Sequence, residues 1–168
     1  MIRILVSADK NRGIGKNGKM LLSIPEDLRY ASTTTAGKTV IMGRKTLENF
    51  PQNKPYPDRL NIVLSRNEDL KSNDDYTVCR SVEEALKCAE EAGNDIYIIG
   101  GESIFSQFID YTDEVEMTYI DYSYDADAYF HDLDHDPRWV LTSESDEQTH
   151  FDIVYSYRQY TRRKDYEV

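Results

Sequence analysis

The sequence predicts an α/β protein, a three-layer sandwich around a mostly parallel central sheet with an antiparallel C-terminal strand. Three observations carry this. Short apolar runs alternate with helix-like segments through the first two thirds of the chain, and β-rich, period-two sequence replaces them afterwards. A length of 168 residues with 39% hydrophobic content is enough for one domain-sized core.

The elements follow in order. IRILVSA, residues 2–8, is an apolar run suited to a buried strand. DKNRGIGKNGKM then places Gly13, Gly15 and Gly18 within six residues, which reads as a mobile loop. A helix runs from Ile24 to about Thr34. Ser23 and Glu26 form an S-x-x-E capping box at its start, and Pro25 sits in the first turn. TVIMG (39–43) is a second buried strand feeding the short helix RKTLENF. Pro51, Pro55 and Pro57 mark an irregular connection before the strand LNIVLS (60–65), and YTVCR (76–80) is a fourth strand. SVEEALKCAEEAG carries the clearest helix signal, with Ser81 as cap, Glu84 completing its box and Gly93 as the stop. DIYIIGG (95–101) is a strand ending in a glycine pair before the helix ESIFSQFID. EVEMTYIDYSY (114–124), RWVLTSES (138–145) and FDIVYSYRQYTRR (151–163) alternate as antiparallel strands do. Residues 1–168 form one domain, within which about 38–93 make a candidate adenosine-binding subdomain.

Composition excludes several function classes. The net charge of −11 disfavours nucleic acid and anionic membranes as partners. No apolar run reaches membrane-span length, and the start lacks a signal peptide, so a cytoplasmic location is expected. Cys79 and Cys88 fit no metal or redox spacing. HDLDH (131–135) offers two histidines and two aspartates without helical ligand spacing, so it reads as a solvated acidic loop and no metal is assigned.

Two features carry chemistry. First, VIMGRKT and IIGGES each take a strand into a helix through glycine, the turn at which a backbone admits a phosphate, and Arg44 and Lys45 add charge to one of them. Two such turns in one small α/β domain point to a diphosphate-bearing ligand. The pattern Gly13-x-Gly15-x-x-Gly18 is rejected as a Rossmann fingerprint, because no helix opens at its last glycine. Second, Ile24, Asp27, Leu28 and Ala31 share one helix face, and that face puts the carboxylate of Asp27 inward. A helix-dipole gain of about 0.3–1 kcal/mol does not offset the several kcal/mol lost on desolvating an unpaired carboxylate. A cleft ligand presenting two N–H donors would resolve the conflict.

Taken together, the NRGIGKNGKM loop, IPEDLRY, TVIMGRKT, the P-x-P-x-R-x-N-I-V-L-S-R segment at 55–66, IIGGESIF and TYID resemble the dihydrofolate reductase family of the bacterial chromosomal kind, nearly end to end. The resemblance implies NADPH-dependent reduction of 7,8-dihydrofolate to tetrahydrofolate in one-carbon metabolism, in a monomer open to antifolate inhibitors. It makes Asp27 the carboxylate that binds the pterin and assists protonation at N5, with Thr118 supporting it and Leu22 at a third catalytic position. Arg59 matches the arginine that clamps the substrate's carboxylate, and Leu5, Ser7, Leu28, Ala31, Phe50 and Ile99 match substrate contacts. For NADPH, the resemblance implies Ser7, Ile14, Gly15, Gly18 and Met20 in and beside the closing loop. It adds Gly43, Arg44, Lys45 and Thr46 at the first turn and Leu64, Ser65, Arg66 and Arg80 near the 2′-phosphate. Ile99, Gly100, Gly101, Glu102, Ser103, Ile104 and Phe105 belong to the second turn.

The chain departs from that family at two places. Leu21-Leu22 stands where the family usually has Pro-Trp, and Ala31 stands where a phenylalanine lines the folate pocket. The expectation is weakened binding of antifolates such as trimethoprim, with the chemistry intact. Two rivals are weighed against this reading. A reductase of riboflavin biosynthesis shares the architecture, but Asp27 and Arg59 argue against it. A degenerate, non-catalytic paralogue fits poorly with the intact Asp27, Thr118, Arg59 and both glycine turns.

Overall fold

Side-chain alternation along the first strand, β1 (Ile2–Asp9), decides how the molecule is layered. Ile4, Val6 and Ala8 turn to one face and are buried, whereas Leu5 and Ser7 turn to the other and are half-buried. The computed structural model describes residues 1–164. In chain order β1 is followed by β2 (Gly13–Lys16), β3 (Lys19–Met20), α1 (Pro25–Thr34), β4 (Thr39–Gly43), α2 (Arg44–Glu48), β5 (Leu60–Leu64) and β6 (Thr77–Cys79). Then come α3 (Val82–Ala92), β7 (Ile96–Ile98), α4 (Glu102–Phe108), β8 (Glu114–Ile120), β9 (Ala128–Tyr129), β10 (Trp139–Glu144), β11 (Gln148–His150) and β12 (Ile153–Arg162).

The main sheet runs β10-β12-β8-β1-β7-β4-β5-β6, with β11 paired to β12. Every pair from β8 to β6 is parallel, and the pairs of β12 with β8, β10 and β11 are antiparallel. On one face Ala85 and Ala89 of α3 and Ile104, Phe105 and Phe108 of α4 pack with Ile4, Ile41, Ile62 and Ile98. On the other, Leu47 of α2 packs with Val40, Met42 and Val63, and Ile24 ahead of α1 packs with Ile120 and Tyr155. Three layers result, as the sequence predicts. Helix α3 also starts and stops where expected: Ser81 Oγ accepts from Glu84 N at 3.1 Å, and Gly93 lies in the left-handed region at φ 75°.

Three expectations are corrected. Ser23 does not cap α1; Ile24 occupies the N-cap position without a side-chain bond, and its carbonyl accepts from Asp27 N at 3.0 Å and Leu28 N at 3.1 Å. Pro25 at the first helical position lacks an N–H, which leaves fewer orphan donors for a cap to satisfy. The glycine loop is not structureless. Its β2–β3 hairpin turns on Asn17 and Gly18, both at positive φ (54° and 79°), the signature of a two-residue type I′ turn. Strand β8 is parallel to β1 as well as antiparallel to β12, so it is where strand direction reverses; the period-two pattern does not distinguish these pairings. Among the described residues no helix is long and apolar enough to cross a membrane.

The acidic stretch after β9 is a structural network. Asp136 accepts from Arg138 Nη2 at 2.8 Å and pairs with His131 Nε2 at 2.7 Å, while Arg138 Nη1 reaches Asp110 at 3.2 Å. The Arg138 hydrogen bonds hold the Asp136 carboxyl well below its ordinary 3.8, outweighing burial, which pushes the other way, and His131 adds to the lowering. A depressed carboxyl contributes stability that is complete above the unfolded-state value and disappears as pH falls through the folded-state one. In urea titrations, the stability gap between the native protein and Asp136→Asn should therefore narrow continuously as pH falls below about 4.

Candidate functional site

A single row of side chains crosses three strands on the open face of the sheet. Ser7 on β1 is the register partner of Thr118 on β8, and Thr118 is the partner of Tyr157 on β12. Register partners project to the same face, so the row presents two aliphatic hydroxyls and a phenol side by side. Asp27 descends from the first turn of α1 onto this row. Thr118 Oγ1 donates to Asp27 Oδ1 at 2.6 Å and Ser7 Oγ donates to Asp27 Oδ2. The desolvation conflict read from the sequence is thus answered first by the protein, with one hydroxyl on each carboxylate oxygen. Helix α1 has no buried residue of its own, and Leu28 is exposed. Its apolar face is a wall of the cleft, not a core surface.

The cleft in front of Asp27 encloses about 1760 Å³. Pockets for one small ligand typically span roughly 300–1,000 Å³, so two ligands can share this one. At the Asp27 end it is lined by Leu5, Leu28, Ala31, Phe50, Tyr56 and Tyr157. Burial pushes the Tyr157 phenol up to about 12, and the Tyr155 phenol and the Asp27 charge add to that effect. Burial likewise raises Tyr56, with Arg59 opposing and Asp27 adding.

The far end of the cleft holds both glycine turns. Gly43 N donates to Gly100 O at 2.9 Å, which fastens the end of β4 to the end of β7. A Cβ on Gly43 would lie 2.8 Å from Ile104 Cγ1, and Gly100 at φ 124° adopts a conformation that side chains rarely tolerate. The Gly100–Gly101 peptide is cis. Arg44, Lys45, Thr46, Gly101, Ser103, Ile104 and Phe105 line this end, and Arg44 pairs with Glu48. Ile14, Gly15, Gly18, Met20, Leu64 and Ile99 line the cleft between its two ends.

Some predicted residues are not brought to the cleft. Leu22 packs against the cluster of Ile24, Ile120 and Tyr155. Arg59 Nη1 donates to Ser32 O at 2.6 Å and Thr35 Oγ1 at 2.7 Å, its Nε to Pro57 O at 3.0 Å, and its guanidinium lies over Tyr56. Burial pulls its pKa below the ordinary arginine value, although the Tyr56 and Asp58 charges work against this. Arg80 donates to the carbonyls of Ser65, Asn67 and Leu70, so it braces the loop after β5. Ser65 and the exposed Arg66 lie in that loop, outside the lining. Glu102 lines the cleft edge but is occupied as well, accepting from Tyr129 N at 2.6 Å.

Other site residues escape sequence reasoning. Tyr157 is visible only once the β8–β12 register is known. Asn49 Nδ2 donates to Gly18 O at 3.0 Å and Asn17 N donates to Asp127 Oδ2 at 3.0 Å, so the hairpin tip is held from two sides. At its base, buried Asp9 accepts from the N–H groups of Asn11 (2.9 Å), Gly13 (2.8 Å) and Tyr124 (2.8 Å). The bonds of Asp9 to Asn11 and Gly13 are local turn bonds, whereas no period or motif signals the long-range ones from Asn49, Asn17 and Tyr124.

The family model described as dihydrofolate reductase matches residues 1–162. The chain belongs to the dihydrofolate reductase family. It is an enzyme of the oxidoreductase class. It is 38% identical to the dihydrofolate reductase of Neisseria gonorrhoeae over 133 residues, covering 79% of this chain and 80% of that one. It is 30% identical to that of Bacillus subtilis over 167 residues, covering 97% and 95%. A solved structure of Enterococcus faecalis dihydrofolate reductase, described as complexed with NADP(H) and RAB-propyl, superposes with a TM-score of 0.86 at 28% identity, covering 98% and 97% of the two chains.

The crowding around Gly43 generates a direct test. Gly43→Ala should force Ile104 aside and cost about 1–3 kcal/mol in folding stability, read from the urea midpoint. An unchanged midpoint would show that the two turns are less tightly fastened than described.

Proposed function

We propose that this chain reduces 7,8-dihydrofolate to 5,6,7,8-tetrahydrofolate with NADPH. The observation that carries the proposal is Asp27, held at both oxygens and facing a cleft whose other end is the fastened pair of glycine turns. The residues at those turns fit a dinucleotide. Gly43 and Gly100 let the backbone of the two turns pack closely against Ile104 and Phe105, the missing Cβ of Gly101 leaves space beside Thr46 Oγ1, and Lys45, Thr46 and Ser103 offer polar groups along the cleft there. The E. faecalis relative described with NADP(H) supports the same assignment.

When bound, NADPH supplies the hydride that passes from nicotinamide C4 to pterin C6. The residues of this chain do the rest. Asp27 accepts the N3 and 2-amino N–H groups of the pterin in a charge-assisted pair and helps move a proton to N5 through a water molecule. Thr118 holds one oxygen of that carboxylate. Leu5, Leu28, Phe50 and Ile99 exclude water around the rings, and Ile14 to Met20 close over the nicotinamide end. Residues 38–93 supply the adenosine half, with Ser65 and Arg66 meeting the 2′-phosphate and Arg80 holding their loop. Arg59 reaches the substrate's glutamate carboxylate by exchanging its bonds to Ser32 and Thr35. The products feed one-carbon metabolism and thymidylate synthesis.

The assay is loss of the NADPH absorbance band on adding dihydrofolate to the purified protein, beside Asp27→Asn. The protein should oxidise NADPH, and the variant should be slower by at least about 100-fold at neutral pH. No oxidation by the native protein would refute the function; full activity in the variant would remove the role given to the carboxylate.

Ala31 bears on inhibitors. No ring projects from this position, and losing a packed phenyl costs on the order of 3 kcal/mol where neighbours do not fill the space. Trimethoprim should bind above the low-nanomolar range and tighten in Ala31→Phe, as inhibition constants would show. A low-nanomolar constant for the native protein would contradict this.

A further inference from the structure

We infer that Ser7 is a positioning residue for Asp27, acting with Thr118 to hold one carboxylate oxygen each and so aim the remaining lone pairs into the cleft. The inference rests on the function proposed above and adds to it a second hydroxyl with a defined task. A carboxylate offers about two acceptor sites on each oxygen. Thr118 Oγ1 occupies one site on Oδ1 and Ser7 Oγ occupies one on Oδ2, which leaves one on each oxygen for a ligand. Two parallel N–H groups on a planar ring match that remainder. With only one hydroxyl, the carboxyl group could rotate about its bond to Cβ; with two, from adjacent strands in fixed register, its plane is set before any ligand arrives.

Ser7 lines the cleft, and its hydroxyl is committed to Asp27. It sits inside β1, where serine is a poorer strand residue than its neighbours Val6 and Leu5, and among the described residues its hydroxyl has no partner other than Asp27. Strand alternation turns it away from the core that Val6 and Ala8 enter, so packing places no demand on its identity. Other titratable and charged groups also reach Asp27. The Tyr157 phenol faces it from β12 and the Tyr56 phenol from the proline-rich connection. On α1 itself Glu26 lies near His150, Tyr30 donates to Glu116, and Arg29 lines the same wall. None of these donates a hydrogen bond to Asp27. Among the described residues only the two hydroxyls donate to its carboxylate.

The test is the dissociation constant of folate for the native protein, Ser7→Ala and Ser7→Thr, each alone and combined with Asp27→Leu. Ser7→Ala should weaken folate by about 10-fold where Asp27 is present, the size expected for losing the aim of one charge-assisted bond, Ser7→Thr should restore it, and Ser7→Ala should change nothing once Asp27 is replaced by leucine. A role confined to packing would weaken binding by the same factor in both backgrounds. Should the alanine variant not fold, Ser7→Thr and Ser7→Val, matched in shape and differing in the hydroxyl, give the same contrast. Equal constants for the hydroxyl-bearing and hydroxyl-free variants would overturn the role of Ser7 while leaving the function in place. A native protein without dihydrofolate-dependent NADPH oxidation would instead overturn the function, before any variant is compared.

Discussion

The register of β1 against β8 sets Ser7 beside Thr118, and the rest of the site depends on that pairing. It presents two hydroxyls that each reach one oxygen of the same carboxylate, which makes Asp27 tolerable on a half-buried helix face. A slip of β1 by one residue would turn Ser7 to the opposite face, into the core that Ile4, Val6 and Ala8 occupy, and leave Thr118 without it. The apolar alternation of β1 therefore does two things. Its even positions specify the register through burial, and its odd positions carry the chemistry that the register makes usable.

The same economy governs the distant end of the cleft. β4 and β7 are neighbours in the parallel sheet, so their C-terminal ends arrive together and their glycines meet through the Gly43–Gly100 bond. Parallel order places strand ends on one edge, and ligands of open α/β sheets bind there. The hairpin of Gly13–Met20 then spans the two ends. It is anchored by Asp9 at its base and by Asn49 and Asp127 at its tip, all hydrogen bonds that a modest conformational change can exchange.

Much of this was legible in the sequence because the governing signals are local. The buried strands of the parallel half, the Ser81 cap and the Gly93 stop follow from apolar runs and turn chemistry within a few residues. Asp27 could be singled out because it breaks the period of its own helix. What escaped is long-range. Thr118 is reached as a partner of Asp27 only through the family resemblance, the bond from Ser7 is signalled by nothing in the sequence, and Tyr157 joins them only through pairing across the reversal of strand direction at β8. Arg59 and Arg80 show the complementary limit. The family resemblance implies anion contacts for both, yet both guanidinium groups are engaged by nearby oxygen atoms of the chain, and sequence spacing cannot distinguish a free arginine from a committed one.

The central claim is that Asp27 is the group that recognises a planar ring through two N–H donors, and equilibrium binding isolates it from the chemistry. The measurement is the dissociation constant of folate, read from quenching of intrinsic fluorescence, for the native protein and for Asp27→Leu, which removes the charge at similar volume. Loss of a charge-assisted pair should weaken binding by at least about 100-fold, given roughly 1.5–3 kcal/mol for each such bond. Equal affinity in the two proteins would contradict the account.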